Sequence, residues 1–136
     1  MGAWGIKPFE NDTAIDFLAE FEENKTFSFL RRAVEVVITD DYLESSVVIE
    51  AIAALEIIAA IKGNATDDFP EMDSMNLEQL EEKYGSKISN YLMDLCEDAI
   101  GIITRSEDNE MVELLEEADV LEEWIEVIDD LNERLF

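Results

Sequence analysis

The sequence predicts an all-α protein, a compact bundle of about six or seven helices around a buried central helix, with an irregular N-terminal arm. Apolar residues recur at helical spacing along most of the 136 residues, and no two segments have the pattern of paired strands. Nearly half of the residues, 48%, are apolar, which is enough for a core. No internal repeat or low-complexity linker divides the chain, so residues 1–136 are predicted to form one domain.

The arm and the first helix are identified by glycine, proline and capping residues. Two glycines and a proline within the first eight residues predict an irregular arm. Thr13 and Asp16 have the spacing of a capping box. Either Asn11 or Asp12 could cap the helix instead. The first helix is therefore expected to begin near these residues and to end near Asn24.

The second helix is predicted to begin after Thr26, its cap, and to run to about Ile38. A β-branched run over 34–39 is also typical of a strand. The residues before the run keep the helical period, and the chain offers no second strand for pairing. The helical interpretation is therefore preferred.

The third helix is expected to begin at Ser45 or Ser46 and to end at Lys62, because Gly63 is a typical terminating residue. Apolar residues lie nearly all round this helix. Since an exposed helix keeps one polar face, the pattern predicts that the third helix is the central, buried one.

The remainder of the chain is predicted as shorter helices joined by polar segments. These are a loop over 64–76, a helix over 77–84, a helix capped by Ser86 that runs to about Arg105, a helix over 111–117, and a last helix that follows a capping box at Asp119 and Glu122 and runs to the C-terminus.

The charge is strongly acidic and uneven. There are 35 Asp and Glu residues against 9 Lys and Arg, which gives a formal net charge of -26. Such a chain repels phosphate, so direct nucleic-acid binding and binding to anionic membranes are not expected. Residues 1–62 carry a net charge of -7 and residues 63–136 a net charge of -19. Any partner that recognises this charge should therefore be basic and should contact the C-terminal half.

Two rows of acids at helical spacing are the candidate partner-binding residues. Glu113 and Glu117 are four residues apart, and Glu122, Glu126 and Asp130 continue at the same spacing in the last helix. Like charges placed in this way cost about 0.2–0.5 kcal/mol per pair. Arg134, four residues after Asp130, is the one cation placed to relieve them. The alternative interpretation is a solvated face that serves solubility alone.

The residues needed for common catalytic and metal chemistry are scarce. The chain has no His and one cysteine, so zinc sites and His-based catalysis are not expected. Cys96 lies in an apolar helical pattern and is interpreted as a buried, inert thiol. The acidic loop Asp67–Asp73 lacks the spacing of a calcium site, and whether it binds a cation stays open. We expect no enzyme activity, no cofactor and no metal.

No signal peptide or membrane span is recognised, which leads to the expectation of a cytoplasmic protein without membrane contact. The aromatic residues of the N-terminal arm, Trp4 and Phe9, have two interpretations. Packed against the helices, they explain why the arm needs glycine and proline for its turns. An exposed Trp4 would instead be a strong contact for a partner.

The opening Met1-Gly-Ala-Trp-Gly-Ile-Lys-Pro-Phe-Glu-Asn-Asp12 resembles that of a bacterial family, the domain of unknown function 4259. Its members begin Met-Gly-Ala-Trp-Gly-x-x-Pro-Phe-x-Asn-Asp. The matching residues are Trp4, Gly5, Pro8, Phe9, Asn11 and Asp12. Asp41-Tyr42-Leu43-Glu44 and the Ala- and Ile-rich third helix are also similar, so the resemblance covers the whole chain. It implies an acidic helical body and no particular activity.

Two functions are compatible with these observations. The first is an inhibitor, or an immunity- or antitoxin-like protein, that neutralises a basic, nucleic-acid-binding partner. The alternative is a housekeeping or regulatory interaction module, self-associating or not, whose acidity serves only solubility. The sequence leaves the oligomeric state and the identity of any partner open.

Overall fold

The computed structural model describes residues 5–24 and 26–136, and the described residues form a helical bundle. Its helices are α1 (Asp12–Asn24), α2 (Phe27–Thr39), α3 (Ser45–Ile61), α4 (Leu77–Tyr84), α5 (Asn90–Ile103), α6 (Glu110–Glu117) and α7 (Leu121–Leu135), with one 3-10 turn over Gly85–Lys87. No strand occurs in the described residues. An isolated parallel bridge joins Leu43 to Asn109. The predicted all-α fold is confirmed.

Helix α3 lies at the centre of the bundle. Twelve of its seventeen residues are buried, including every residue over 51–61. It packs against α1, α2, α4 and α7, and it also touches α5 and α6. Because it is surrounded by other helices, an apolar residue is favourable on every side of it. The predicted central position is confirmed.

Helix α2 lies between α3 and α5. The β-branched run over 34–39, which is also typical of a strand, belongs to this helix. Leu30, Val34 and Val37 are buried at helical spacing, and Thr39 is the last helical residue. Thr26 occupies the predicted cap position without making a side-chain capping hydrogen bond. The predicted helix is thus confirmed, while its start depends on packing more than on a cap.

Two of the predicted caps are wrong, and at α1 one of the predicted alternatives, Asn11, is confirmed. At α1 the cap is Asn11, whose Oδ1 accepts a hydrogen bond of 2.7 Å from the Ala14 N–H, so the Thr13 capping box is not used. At α5 the cap is Ser89 instead of Ser86, because the chain first makes the 3-10 turn and the Ser89 Oγ accepts from the Leu92 N–H at 3.1 Å. At α7 the capping position is Val120, which makes no side-chain capping bond.

The backbone conformation of Asp119 explains why the predicted cap of α7 is wrong. Asp119 has a φ of 59°, in the left-handed region, so it belongs to the turn that ends α6 and cannot cap the next helix. In the same turn the Val120 N–H donates to the Leu115 carbonyl at 3.0 Å. The acid at position 119 therefore serves a sharp corner between α6 and α7.

Asn109 joins two segments that are distant in sequence. It is fully buried, and its side-chain amide donates to the carbonyls of Ile103 at 2.9 Å and Arg105 at 3.0 Å. Its Oδ1 caps α6 by accepting from the Val112 N–H at 3.2 Å. Hydrogen bonds of 2.8 Å on either side of it connect Leu43 to residues 108 and 110. This junction holds α6 against the segment between α2 and α3.

Candidate functional site

The acidic row of α7 is presented to solvent by a firmly buried opposite face. Glu122, Glu126 and Asp130 are all exposed. The buried side of the helix consists of Trp124, Ile128, Leu131 and Leu135. Because the helix is anchored along its length, the carboxylates project from a fixed backbone. Their mutual repulsion cannot be relieved by unwinding without loss of the core contacts.

Part of this row lines a groove that we call the acidic groove. It has a volume of about 430 Å³ and lies between the N-terminal arm, the loop after α3 and the exposed side of α7. Its carboxylates are Asp67, Asp68, Glu123, Glu126 and Asp130. Ile6, Pro8 and Val127, each half-buried, supply its apolar surface. Three segments that are far apart in sequence therefore meet in one concave acidic surface.

Two cations lie in the acidic groove, and each is already bound. The Lys7 Nζ donates to Asp68 Oδ2 at 2.9 Å, and this hydrogen bond raises the pKa of Lys7 above its ordinary value. The Arg134 Nε donates to Asp130 Oδ2 at 2.8 Å. Among the described residues, the other three carboxylates of the groove have no ion pair. The groove therefore has an excess of negative charge that no ion pair within the described residues balances.

Arg134 also anchors α7 to the centre of the bundle. Its Nη1 and Nη2 each donate to one carboxylate oxygen of Glu56 at 2.8 Å. Glu56 belongs to α3 and is fully buried. These hydrogen bonds raise the pKa of Arg134 above its ordinary value. A buried carboxylate held on both oxygens needs its cation, so Arg134 is committed to the core and cannot neutralise the rest of the row.

The α6 row has different neighbours. Glu113 and Glu117 are exposed, while Val112 and Leu115 on the same helix are buried. Glu113 lies near Tyr42, whose pKa is raised by partial desolvation and by this and other nearby carboxylates. Tyr42 and Leu114 keep 45% and 47% of their surface exposed. No ion pair within the described part of the chain involves an acid of α6.

Of the two aromatic residues of the arm, the structure describes Phe9. Phe9 is buried, and its ring makes an edge-to-face contact with Phe69 at a centroid distance of 5.2 Å. This contact ties the arm to the loop that carries Asp67 and Asp68, so Phe9 shapes the acidic groove from behind. Trp4, the other candidate, lies outside the described residues.

The other concavities suit a ligand less well. A small, partly open cavity of about 50 Å³ lies under the arm, beside Trp124 and Ile128, and is large enough only for water. An open recess of about 510 Å³ follows the loop over 69–78 and carries only two acids, Glu71 and Glu78. The acidic groove carries more carboxylates, five, beside its apolar surface than either of these.

Other chemistry has little support in the described residues. Cys96 is buried, and this burial raises the pKa of its thiol to about 12, which makes the thiolate inaccessible near neutral pH. Within residues 5–24 and 26–136 no three metal-binding side chains are arranged to hold an ion, and this includes the loop Asp67–Asp73. None of the helices over these residues has both the length and the hydropathy of a membrane span.

Sequence reasoning found the two acidic rows but missed the groove. From the sequence, Asp67 and Asp68 belong to an acidic loop with no predicted relation to α7. Glu123 is adjacent to the predicted α7 row but is not one of its members. The sequence does not indicate that Ile6, Lys7 and Pro8 of the arm contribute to the groove. The signal available in the sequence was the spacing of Glu123, three residues before Glu126 and seven before Asp130, which places it on the same side of α7 as these two acids.

Comparison with known families confirms the family that the sequence resembles. A family model described as a domain of unknown function (DUF4259) matches residues 2–127, which is nearly the whole chain. No curated protein and no solved structure matches significantly. The family description supplies no activity and no functional residue. The chain belongs to the DUF4259 family.

Proposed function

We propose that this protein binds a basic macromolecular partner and acts as an inhibitor or as an immunity- or antitoxin-like protein. The observation that carries the proposal is the excess of carboxylates on α6 and α7, which no cation of the described chain neutralises. A surface of this kind matches the basic face with which a protein contacts nucleic acid. Covering that face would block nucleic-acid binding by the partner.

The physical argument rests on stored repulsion and on long-range attraction. Each like-charge pair at helical spacing costs about 0.2–0.5 kcal/mol, and an approaching cation relieves it. Complementary charge also raises the rate of encounter by ten- to about a thousandfold at low salt. Solubility requires neither a concentrated charge nor its separation from cations. The concentration of acid in the C-terminal half is therefore better explained by a partner.

Capture of the partner with charge-reversed baits tests this function. One bait carries Glu113→Lys, Glu117→Lys and Glu126→Lys, and Asp130 is spared because it holds Arg134. The control bait carries Glu82→Lys, Glu97→Lys and Asp98→Lys, which changes the net charge equally at exposed positions of α4 and α5. Proteins captured from the native cell are then identified by mass spectrometry.

We expect the wild-type and control baits to enrich the same basic protein and the α6–α7 bait to lose it. The association rate of that protein, measured by stopped flow at two ionic strengths, should fall steeply with salt for the wild type and less so for the α6–α7 variant. Equal behaviour of the two variants would mean that the acid serves solubility, and the function proposed here would be wrong.

A further inference from the structure

The acidic groove is an open recess whose surface suits a long cationic side chain. Lys and Arg have an apolar stem and a charged head, and they are bound best where both parts find a partner. The groove offers both, since Ile6, Pro8 and Val127 lie among its carboxylates. Its volume of about 430 Å³ falls in the range of roughly 300–1,000 Å³ that is typical of ligand sites.

The chain itself shows which chemistry fits the groove. The Lys7 ammonium is bound to Asp68, and the Arg134 guanidinium is bound to Asp130. One lysine and one arginine head are thus already held by carboxylates of the groove at hydrogen-bonding distance. The remaining acids, Asp67, Glu123 and Glu126, have no such cation among the described residues.

We propose that the acidic groove binds an extended Lys- or Arg-rich segment of a protein partner, with the stems on Ile6, Pro8 and Val127 and the cationic heads on Asp67, Glu123 and Glu126. This inference rests on the function proposed above and makes it more specific. The partner would present a basic tail or loop, and the wider acidic surface of α6 would contribute attraction at a distance.

Fluorescence anisotropy with labelled nonalysine measures this binding directly. The groove variant carries Asp67→Asn, Glu123→Gln and Glu126→Gln, which removes charge with little change in shape. The control variant carries Glu82→Gln, Glu97→Gln and Asp98→Asn and has the same net charge. Circular dichroism establishes that both variants keep the helical fold, as expected for exposed positions.

We expect the groove variant to bind nonalysine about tenfold more weakly than the wild type and the control variant to bind within about twofold of it. Chemical-shift mapping of the wild type should show large changes at the methyl groups of Ile6 and Val127. The exposed methyl groups of Leu114 on α6 should change little. A neutral peptide of the same length should not bind.

Three results would overturn the inference. The two triple variants could weaken binding equally, Leu114 could respond as strongly as Val127, or spermine could displace the peptide at an equal concentration of charge. The first two would indicate attraction by net charge alone, and the third would indicate a site for free polyamines. None of them would contradict the proposed function, which fails only if the α6–α7 and control baits capture the same basic protein equally.

Discussion

Helices α3 and α7 have similar lengths and opposite relations to water. Helix α3 buries twelve of its seventeen residues, whereas α7 buries four of its fifteen. The difference is one of position, because α3 is enclosed by other helices and α7 covers the bundle from one side. A helix at the centre can specify the core but has no surface for a partner. A helix at the edge can be firmly anchored and still present a full row of charges.

The two helices are connected by an ion pair between a buried carboxylate of α3 and the cation of α7. Glu56 is a charge in the apolar helix, and Arg134 is a cation in the acidic helix. Their bidentate pairing fixes the C-terminal turn of α7, and with it the end of the acidic groove, to the centre of the fold. The core thus determines where the groove lies. Substitutions in α3 and α7 test how far the core and the exposed row differ in their contribution to stability.

Arg134→Leu should lower the free energy of unfolding by about 3–5 kcal/mol, because it leaves the buried carboxylate of Glu56 without a cation. Urea denaturation measures the loss. The matched control is Arg31→Leu, which breaks the exposed pair with Glu35 and should cost less than about 1 kcal/mol. The double variant Glu56→Leu with Arg134→Met should restore most of the stability, since it removes both charges. Equal losses for Arg134→Leu and Arg31→Leu would show that the buried pair is not special.

Ile58→Ala in α3 should cost about 2–5 kcal/mol, because the side chain is fully buried and its removal leaves a cavity. The same substitution at Ile125 in α7 should cost only about 1 kcal/mol, since that side chain is partly in water already. Urea denaturation of the two variants gives the comparison, provided that the denaturant dependence stays the same. A reversed order would place the core of the bundle at α7 instead of α3.

Glu126→Gln should raise the melting temperature slightly at low salt, because it removes repulsion of about 0.2–0.5 kcal/mol with each of Glu122 and Asp130. The gain should disappear near 1 M salt, where the screening length is about 3 Å. Glu35→Gln is a control of opposite sign, since Glu35 pairs with Arg31 at 3.1 Å and its loss should destabilise the protein slightly. If Glu126→Gln also destabilises the protein, the row is held by cations that its spacing does not reveal.

The caps mark the limit of local reasoning within the fold. Ser86 and Ser89 are both acceptable caps, and the choice depends on whether the chain makes another turn after Gly85, as it does. Asp119 and Glu122 have the spacing of a capping box, but the left-handed conformation of Asp119 excludes it. A cap requires one hydrogen bond, and the order of 1 kcal/mol that it contributes is smaller than the packing energy of a helix. Packing therefore decides where a helix begins.

The sequence by itself determined the all-α class, the central place of α3 and the exposed acidic rows. These properties follow from the period of apolar and charged residues, since each helix must turn its apolar side to the core whatever its neighbours are. Only the tertiary structure decided that Glu56 meets Arg134 and that Lys7, Asp68 and Glu126 line one groove. These residues are separated by tens of positions, and no local pattern records which surfaces the packing of the bundle brings together.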